Sequence, residues 1–370
     1  MIRLASPDIR DADIARCNEV LASGNLVQGA TVEAFEQALT DFTGFGECAV
    51  VSSGTAALHL ALLAAGIAPG DRVLVADFTF AATANAVVHA GAEPLFCDVH
   101  PATYVLTPEA VEARLAEAGN GTVQAIIVVH EFGCPAGIER ICKLAGDAGI
   151  RVIEDAACAL GTVADGHHVG YYSDAACFSF HPRKAITTGE GGAVVSRHRG
   201  MVERIRRLRN HGIERLAEGI DFTDAGLNYR LTDFQAALAI GQLERYMQEL
   251  ARRRELAGVY QALLENEDRL ALPLPPAGHS WQSYMVVLAP DIDRNRVIAR
   301  MREQGVETNL GAQALHRLDY YSRRYGETDE RYPSAARLYD SGLVLPLYGR
   351  LDERQLETVA QSLGRVLDDV

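Results

Sequence analysis

Lysine is scarce in this chain. Of its 35 basic residues, two are lysines, Lys143 and Lys184, and the remaining 33 are arginines. Arginine cannot become a neutral amine near physiological pH, so it cannot attack a carbonyl to form a Schiff base. Lys143 lies in IERICKLAGDAG, where a solvent-facing helical position accounts for it. Lys184 lies in FSFHPRKAITTGEGG, between a strand-like run and a turn holding glycines 189, 191 and 192. The ordinary reading of Lys184 is a solvated surface lysine. That reading is weak in a chain that uses arginine for its surface, which leaves a nucleophilic amine.

Two other stretches pair small residues with polar ones at the end of an apolar run. In VSSGTAA, residues 51–57, a short strand enters small residues and then an Ala/Leu-rich helix. Such a turn can aim free N–H groups and the helix dipole at an anion, with Gly54 allowing close approach. An ordinary N-capped helix explains the same pattern. In RVIEDAACALG, residues 151–161, the strand-like run ends in Glu154 and Asp155. Two acids at the end of an apolar strand are costly to bury without partners. Asp155 reads either as a helix N-cap or as a carboxylate that holds a cationic ring nitrogen or a metal. No His or Cys at ligand spacing favours the metal.

An anion-accepting turn, a buried carboxylate and a lone lysine, each at a different strand end, suit pyridoxal phosphate. The phosphate needs N–H and hydroxyl donors, the pyridine nitrogen needs an acid, and the aldehyde needs a lysine. An aromatic to cover the ring is available as Phe80, in DFTFAATANAV.

These residues require a scaffold of strands ending on one side. From about residue 48 to 195, apolar runs alternate with helical ones. The spacing predicts strands at Cys48–Val51, Arg72–Ala76, Glu93–Cys97, Ala125–His130, Arg151–Glu154, Ala175–Phe180 and Ala193–Ser196. Helices are expected at Thr55–Ala65, Phe80–His89, Pro108–Ala118 and Ile138–Ala148. The strands are nearly continuous in apolar residues, the signature of a mainly parallel sheet covered on both faces. This predicts a doubly wound α/β fold with ligands at the carboxyl ends of the strands. Further helices are expected at Val202–Arg209 and, as one long element, Asp233–Leu264. After the proline-rich passage 272–278 comes a β-α-β-α pattern: strands Ser283–Leu288 and Leu343–Leu347, helices Arg294–Gln304 and Glu353–Leu367. The expected division is a large domain, 1–248, and a smaller α+β domain, 249–370, with a cleft between them.

Composition narrows the partners. The chain has 370 residues, 48% hydrophobic and 23% charged, which is ordinary for a globular two-domain protein. With 49 acidic against 35 basic residues the net charge is −14. That argues against general nucleic-acid binding and against an anionic membrane surface. The longest mostly apolar stretch, Ala56–Pro69, is 14 residues and contains His59, short of the roughly 20 a spanning helix needs. The N-terminus MIRLASPDIRDADIARC has no basic start followed by an apolar run, so no signal peptide is expected. Seven cysteines, with no C-x-x-C pair, read as small buried hydrophobes rather than as disulfides or a zinc knuckle. A soluble, cytoplasmic protein without bound metal is expected.

Five motifs, SSGTAAL, DFTFAATANAV, EDAACALG, FSFHPRKAITTGEGG and GLNYRLTDFQAALA, resemble in order and spacing the DegT/DnrJ/EryC1/StrS family of sugar aminotransferases. The resemblance spans essentially the whole chain, through SGLVLPLYGRLDERQL. It implies the aspartate-aminotransferase-like fold (fold type I), pyridoxal phosphate, a homodimer with composite active sites, and transfer of an amino group from glutamate to a nucleotide-linked keto sugar. By the same resemblance Lys184 matches the Schiff-base lysine, Asp155 the pyridinium partner, Gly54, Thr55 and Ser179 the phosphate ligands, and Phe80 the stacking aromatic. Asn228 and Arg230 match a loop reaching the neighbouring subunit's site. His181 and His316 fall near the expected sugar and nucleotide cleft.

One position departs from the family pattern. Cys158 stands where members commonly carry His or Gln, whose side chain reaches the cofactor's phenolic oxygen; a thiol is a weaker donor. Three other activities fit parts of the sequence. A dehydratase of the same family typically replaces the lysine with histidine, and Lys184 is present. An enzyme that aminates or aromatises a cyclitol or carbocycle would share these motifs. So would a non-catalytic, cofactor-binding regulator, against which the intact lysine and aspartate argue.

Overall fold

The computed structural model describes residues 1–369 apart from residues 120, 136, 218 and 275. Pro275 of the proline-rich passage and Val370 of the expected second domain lie outside the described residues.

Seven strands form the main sheet: β1 (Glu47–Val51), β2 (Arg72–Ala76), β3 (Glu93–Cys97), β4 (Ala125–Val129), β5 (Arg151–Asp155), β6 (Ala175–Ser179) and β7 (Gly192–Ser196). Their order is β1-β7-β6-β5-β4-β2-β3. Every neighbouring pair among β6, β5, β4, β2 and β3 is parallel. Only β7 is reversed, antiparallel to β6 and to β1. The expected mainly parallel α/β sheet is therefore present.

The strands are apolar throughout because both faces are covered. Alternate residues divide between two cores. Ala49, Val51, Ala175, Cys177 and Val194 join the helices Gly54–Ala64, Ala82–His89, Pro108–Ala118, Ile138–Asp147 and Arg199–Leu208. Cys48, Val50, Ala176, Phe178, Ala193 and Val195 join Ala30–Thr43 and Asp233–Glu244. The described residues contain no helix long and apolar enough to cross a membrane.

A second sheet lies in the C-terminal part: β8 (Leu270–Ala271), β9 (Tyr284–Leu288), β10 (Asn309–Leu310) and β11 (Gly342–Leu345), in the order β8-β9-β11-β10 with all neighbours antiparallel. With the helices Tyr246–Leu264, Arg294–Glu303 and Glu353–Asp368 it builds a third core. Two strands were expected here; the other two are only two residues long and leave no periodic signal. Met285, Val287, Ala312 and Ala314 reach from this part into the core of the main sheet. The first residues belong here as well, since Ile2 pairs with Val306 and the Leu347 N–H donates to the Leu4 carbonyl.

The single helix expected at Asp233–Leu264 is two, Asp233–Glu244 and Tyr246–Leu264. The break is Arg245, at φ −105°, ψ 1°. Its guanidinium pairs with Asp13 at 2.6 Å and Asp8 at 3.3 Å. Those long-range bonds fix the bend, and Ala/Leu/Glu/Arg composition gives no sign of them. Two N-terminal helices, Asp11–Ser23 and Ala30–Thr43, add to the expected set. The helix expected from Phe80 begins at Ala82, which leaves Phe80 ahead of it.

Candidate active site

The carboxyl ends of β1, β4, β5 and β6 open into one cavity of about 620 Å³, closed on the far side by Gln282 and residues 309–313 of the C-terminal part. This is where open α/β sheets hold ligands. Gly54, Thr55, Phe80, Asp155, Cys158, Ser179, His181 and Lys184 all line it.

At one end the chain leaves β1 and turns into the helix Gly54–Ala64. The Ser53 hydroxyl caps it by accepting the Ala56 N–H at 3.1 Å. Gly54 and Thr55 occupy the first turn, so their N–H groups have no intrahelical acceptor. A Cβ on Gly54 would lie 2.8 Å from the Ser179 Cβ. Only glycine lets the helix start sit against Ser179. The Gly54 and Thr55 N–H groups, the helix dipole and the hydroxyls of Thr55 and Ser179 are a donor set that could hold an anion.

In the middle, Asp155 ends β5 with its carboxylate held on both oxygens. Oδ2 accepts the Thr83 hydroxyl at 2.7 Å and Oδ1 the Ala157 N–H at 3.1 Å. Its neighbour Glu154 points to the opposite face. There Oε2 lies 2.6 Å from Nε2 of the fully buried His130 and accepts the Gly170 N–H at 2.9 Å. The alternation of a strand thus sends one acid into the cavity and the other into the core.

Lys184 is half-buried, with Nζ 3.0 Å from the Sγ of Cys158. Burial alone would lower the pKa of its ammonium. Cys158, Glu131 and Asp155 outweigh that and hold it above the usual lysine value. Burial pushes the Cys158 thiol up, against the pull of Lys184. The Lys184 ammonium therefore donates to a neutral thiol.

Phe80 is 65% exposed and lines the cavity, where a planar ring could cover it. The Nδ1 of His181 accepts the Arg183 N–H at 3.2 Å. Burial, with Lys184 and Arg183, lowers the His181 pKa despite Glu190. Its ring is thus neutral at pH 7, with Nε2–H free to donate.

Asn228, Arg230 and His316 are not brought into this cavity. Asn228 is exposed and forms a backbone bridge to Asn210. Arg230 donates to the Asn210 side chain at 2.7 Å. His316 is buried between two carboxylates, Asp77 at 2.6 Å and Asp329 at 2.8 Å. It ties the end of β2 to the C-terminal part, far from the role of a cleft-lining residue.

Two residues that shape the site were missed in the sequence. Thr83, which orients Asp155, sits in a helix of small residues and had no distinguishing mark. Glu131, buried in the cavity wall, directly follows the apolar run AIIVVH. A carboxylate just past a strand end was the available signal.

The sequence model of the DegT/DnrJ/EryC1/StrS aminotransferase family matches residues 7–364. The chain is 32% identical to the uncharacterized protein MJ1066 of Methanocaldococcus jannaschii, over 98% of this chain and 97% of that one. Among solved structures, the aminotransferase TlmJ from Streptoalloteichus hindustanus superposes with a TM-score of 0.92 at 32% identity, covering 100% of this chain and 99% of that one. DesV of S. venezuelae, solved with a ketimine intermediate, superposes with a TM-score of 0.89 at 29% identity, covering 97% and 95%.

Proposed function

The chain belongs to the DegT/DnrJ/EryC1/StrS aminotransferase family, and from that premise we propose that it transfers an amino group from glutamate to a keto sugar carried on a nucleotide, with pyridoxal phosphate as cofactor. The observation that carries this reading is the convergence, in one cavity, of the Lys184 amine, the Asp155 carboxylate and the open start of the helix Gly54–Ala64.

The donor set fits the cofactor group by group. The Gly54 and Thr55 N–H groups, with the Thr55 and Ser179 hydroxyls, would take the phosphate. Asp155, already oriented by Thr83 and the Ala157 N–H, would hold the ring nitrogen's proton by its negative charge. Phe80 would cover one ring face. Lys184 supplies the amine for the aldehyde and a group that can move a proton. When bound, the cofactor carries the amino group and accepts electron density from the substrate carbon. Cys158 offers a weak S–H donor beside Lys184, and His181 an Nε2–H toward a sugar hydroxyl.

In this reading glutamate enters first and leaves as 2-oxoglutarate; the keto sugar enters the same cavity second. The body built mainly from residues 1–248 and the one built mainly from 249–370, which the first residues join, form the cleft that admits both. Asn228 and Arg230, exposed or half-buried outside their own cavity, complete the site of a second copy in a homodimer. His316 acts as a structural tie rather than a substrate ligand. Seven cysteines with no C-x-x-C pair suit the reducing cytoplasm, where we place the reaction.

The test is a panel of nucleotide-linked keto sugars incubated with glutamate and followed by mass spectrometry. The expected result is conversion of one ketone to an amine with one 2-oxoglutarate released per amine, and parallel double-reciprocal plots. Intersecting plots, or amination of a free ring ketone in preference to every nucleotide-linked one, contradict it.

A further inference from the structure

Glu131 has no part in the reaction as set out above, yet its placement is tightly determined. It follows β4 by two residues and opens the turn Glu131–Gly133, whose middle residue, Phe132, has φ 55°. A non-glycine residue in that region is strained and persists where its surroundings fix it. Here the Gln282 N–H donates to the Phe132 carbonyl at 2.9 Å, and the Ser280 N–H to the Gly133 carbonyl at 3.1 Å. The Ser280 hydroxyl donates to the Cys158 carbonyl at 3.3 Å. A Cβ on Gly133 would lie 2.1 Å from the Ser280 Oγ. Ser280 thus clamps the turn bearing Glu131 to the loop bearing Cys158, and Cys158 touches Lys184. The register of β4 on β5, with Val129 opposite Asp155, brings Glu131 to the same wall.

Glu131 lines the same cavity as Thr79, Asp155, Cys158 and Lys184, and these groups, with the Phe132 N–H, act on its carboxyl. Burial pushes its pKa up to about 7, with Asp155 adding to the rise and Lys184 opposing it. The influence is mutual, since Glu131 is among the groups that hold the Lys184 ammonium in its charged form.

We propose that Glu131 is a positioning residue for the charge of Lys184. Ionised, it favours the ammonium form of Lys184; protonated, it withdraws that support, so that less alkaline conditions suffice to free the amine. A free amine is what attack on an aldehyde requires, so the inference rests on the reading of Lys184 as the nucleophile.

With only two lysines, the chain allows a direct test. The full chain freed of cofactor is trace-methylated with formaldehyde and cyanoborohydride from pH 5.5 to 9. Labelling of Lys184 is read by peptide mass spectrometry against the exposed Lys143. In wild type the rise of Lys184 labelling with pH should flatten near pH 7, as Glu131 ionises. In Glu131→Gln the flattening should vanish: labelling matches wild type below pH 6 and exceeds it about three- to tenfold above pH 8. Glu131→Asp should keep the wild-type profile. A variant-to-wild-type ratio constant across pH, or a wild-type profile without flattening, overturns the proposal. Cofactor capture is followed separately. Coupling in the methylation profile without any capture of pyridoxal phosphate refutes the cofactor reading and leaves the charge coupling standing.

Discussion

The Nζ of Lys184 lies 3.0 Å from the Sγ of Cys158. The residues come from different strand ends, and the contact joins an ammonium to a thiol that burial keeps protonated. Cys158 is therefore not an activated thiolate, although a cation lies beside it. At pH 7.5 it should react with iodoacetamide at less than about a tenth of the rate of a free thiol of pKa near 8.5. Alkylation as fast as that of free cysteine, mapped to Cys158, would show that Lys184 wins over burial.

The Asp155 carboxylate is held by one hydroxyl and one backbone N–H, so both oxygens are already oriented for a cationic partner. Asp155→Asn keeps the size and loses the charge. A hydrogen bond to a charged group is worth about 1.5–3 kcal/mol, which corresponds to roughly ten- to a hundredfold in rate. The variant should fold with an unchanged circular dichroism spectrum and turn over slower by about that factor. Wild-type turnover in the variant rules out a role for the carboxylate in the reaction.

His316 joins Asp77 to Asp329. Burial would lower its pKa, but the two carboxylates prevail and raise it above the ordinary histidine value. Arg317 and His316 hold Asp329 well below the usual carboxylate range. A raised histidine stabilises the fold fully below its unfolded pKa of about 6.5, and the effect fades as pH rises through the folded pKa. A lowered carboxylate stabilises above about pH 4 and fades as pH falls. His316→Gln should therefore lower Tm most between about pH 4 and 6.5, and less toward pH 9. A Tm difference that grows toward pH 9 would contradict the ion-pair account.

Asn228 is exposed on the loop tied to Asn210, outside its own cavity. If it completes the neighbour's site, Lys184→Ala and Asn228→Ala should complement. Random exchange gives half hybrid dimers, each with one site wild type at both positions. Mixed inactive samples should recover up to about a quarter of wild-type activity, by this counting of sites. No recovery, with exchange verified by native mass spectrometry, places Asn228 outside the partner's site.

The strands of the main sheet were legible within about two residues because a doubly covered strand must be apolar throughout. Lys184 stood out because lysine is rare in this chain, and Asp155 because an acid ends an apolar strand. What escaped was set by contacts remote in sequence. The bend at Arg245 depends on Asp8 and Asp13. The burial of His316 depends on Asp77, 239 residues away. Glu131 follows an apolar strand, but that it lines one cavity with Asp155 and Lys184 depends on the register of β4 against β5.

Borohydride reduction of the cofactor-loaded protein, followed by peptide mapping, tests the central claim most directly. The account predicts a reduced cofactor adduct on Lys184 alone, with Lys143 unmodified, and no adduct in Lys184→Arg, which keeps the charge but not the amine chemistry. An adduct on Lys143, or a loaded wild-type chain that yields none, contradicts it.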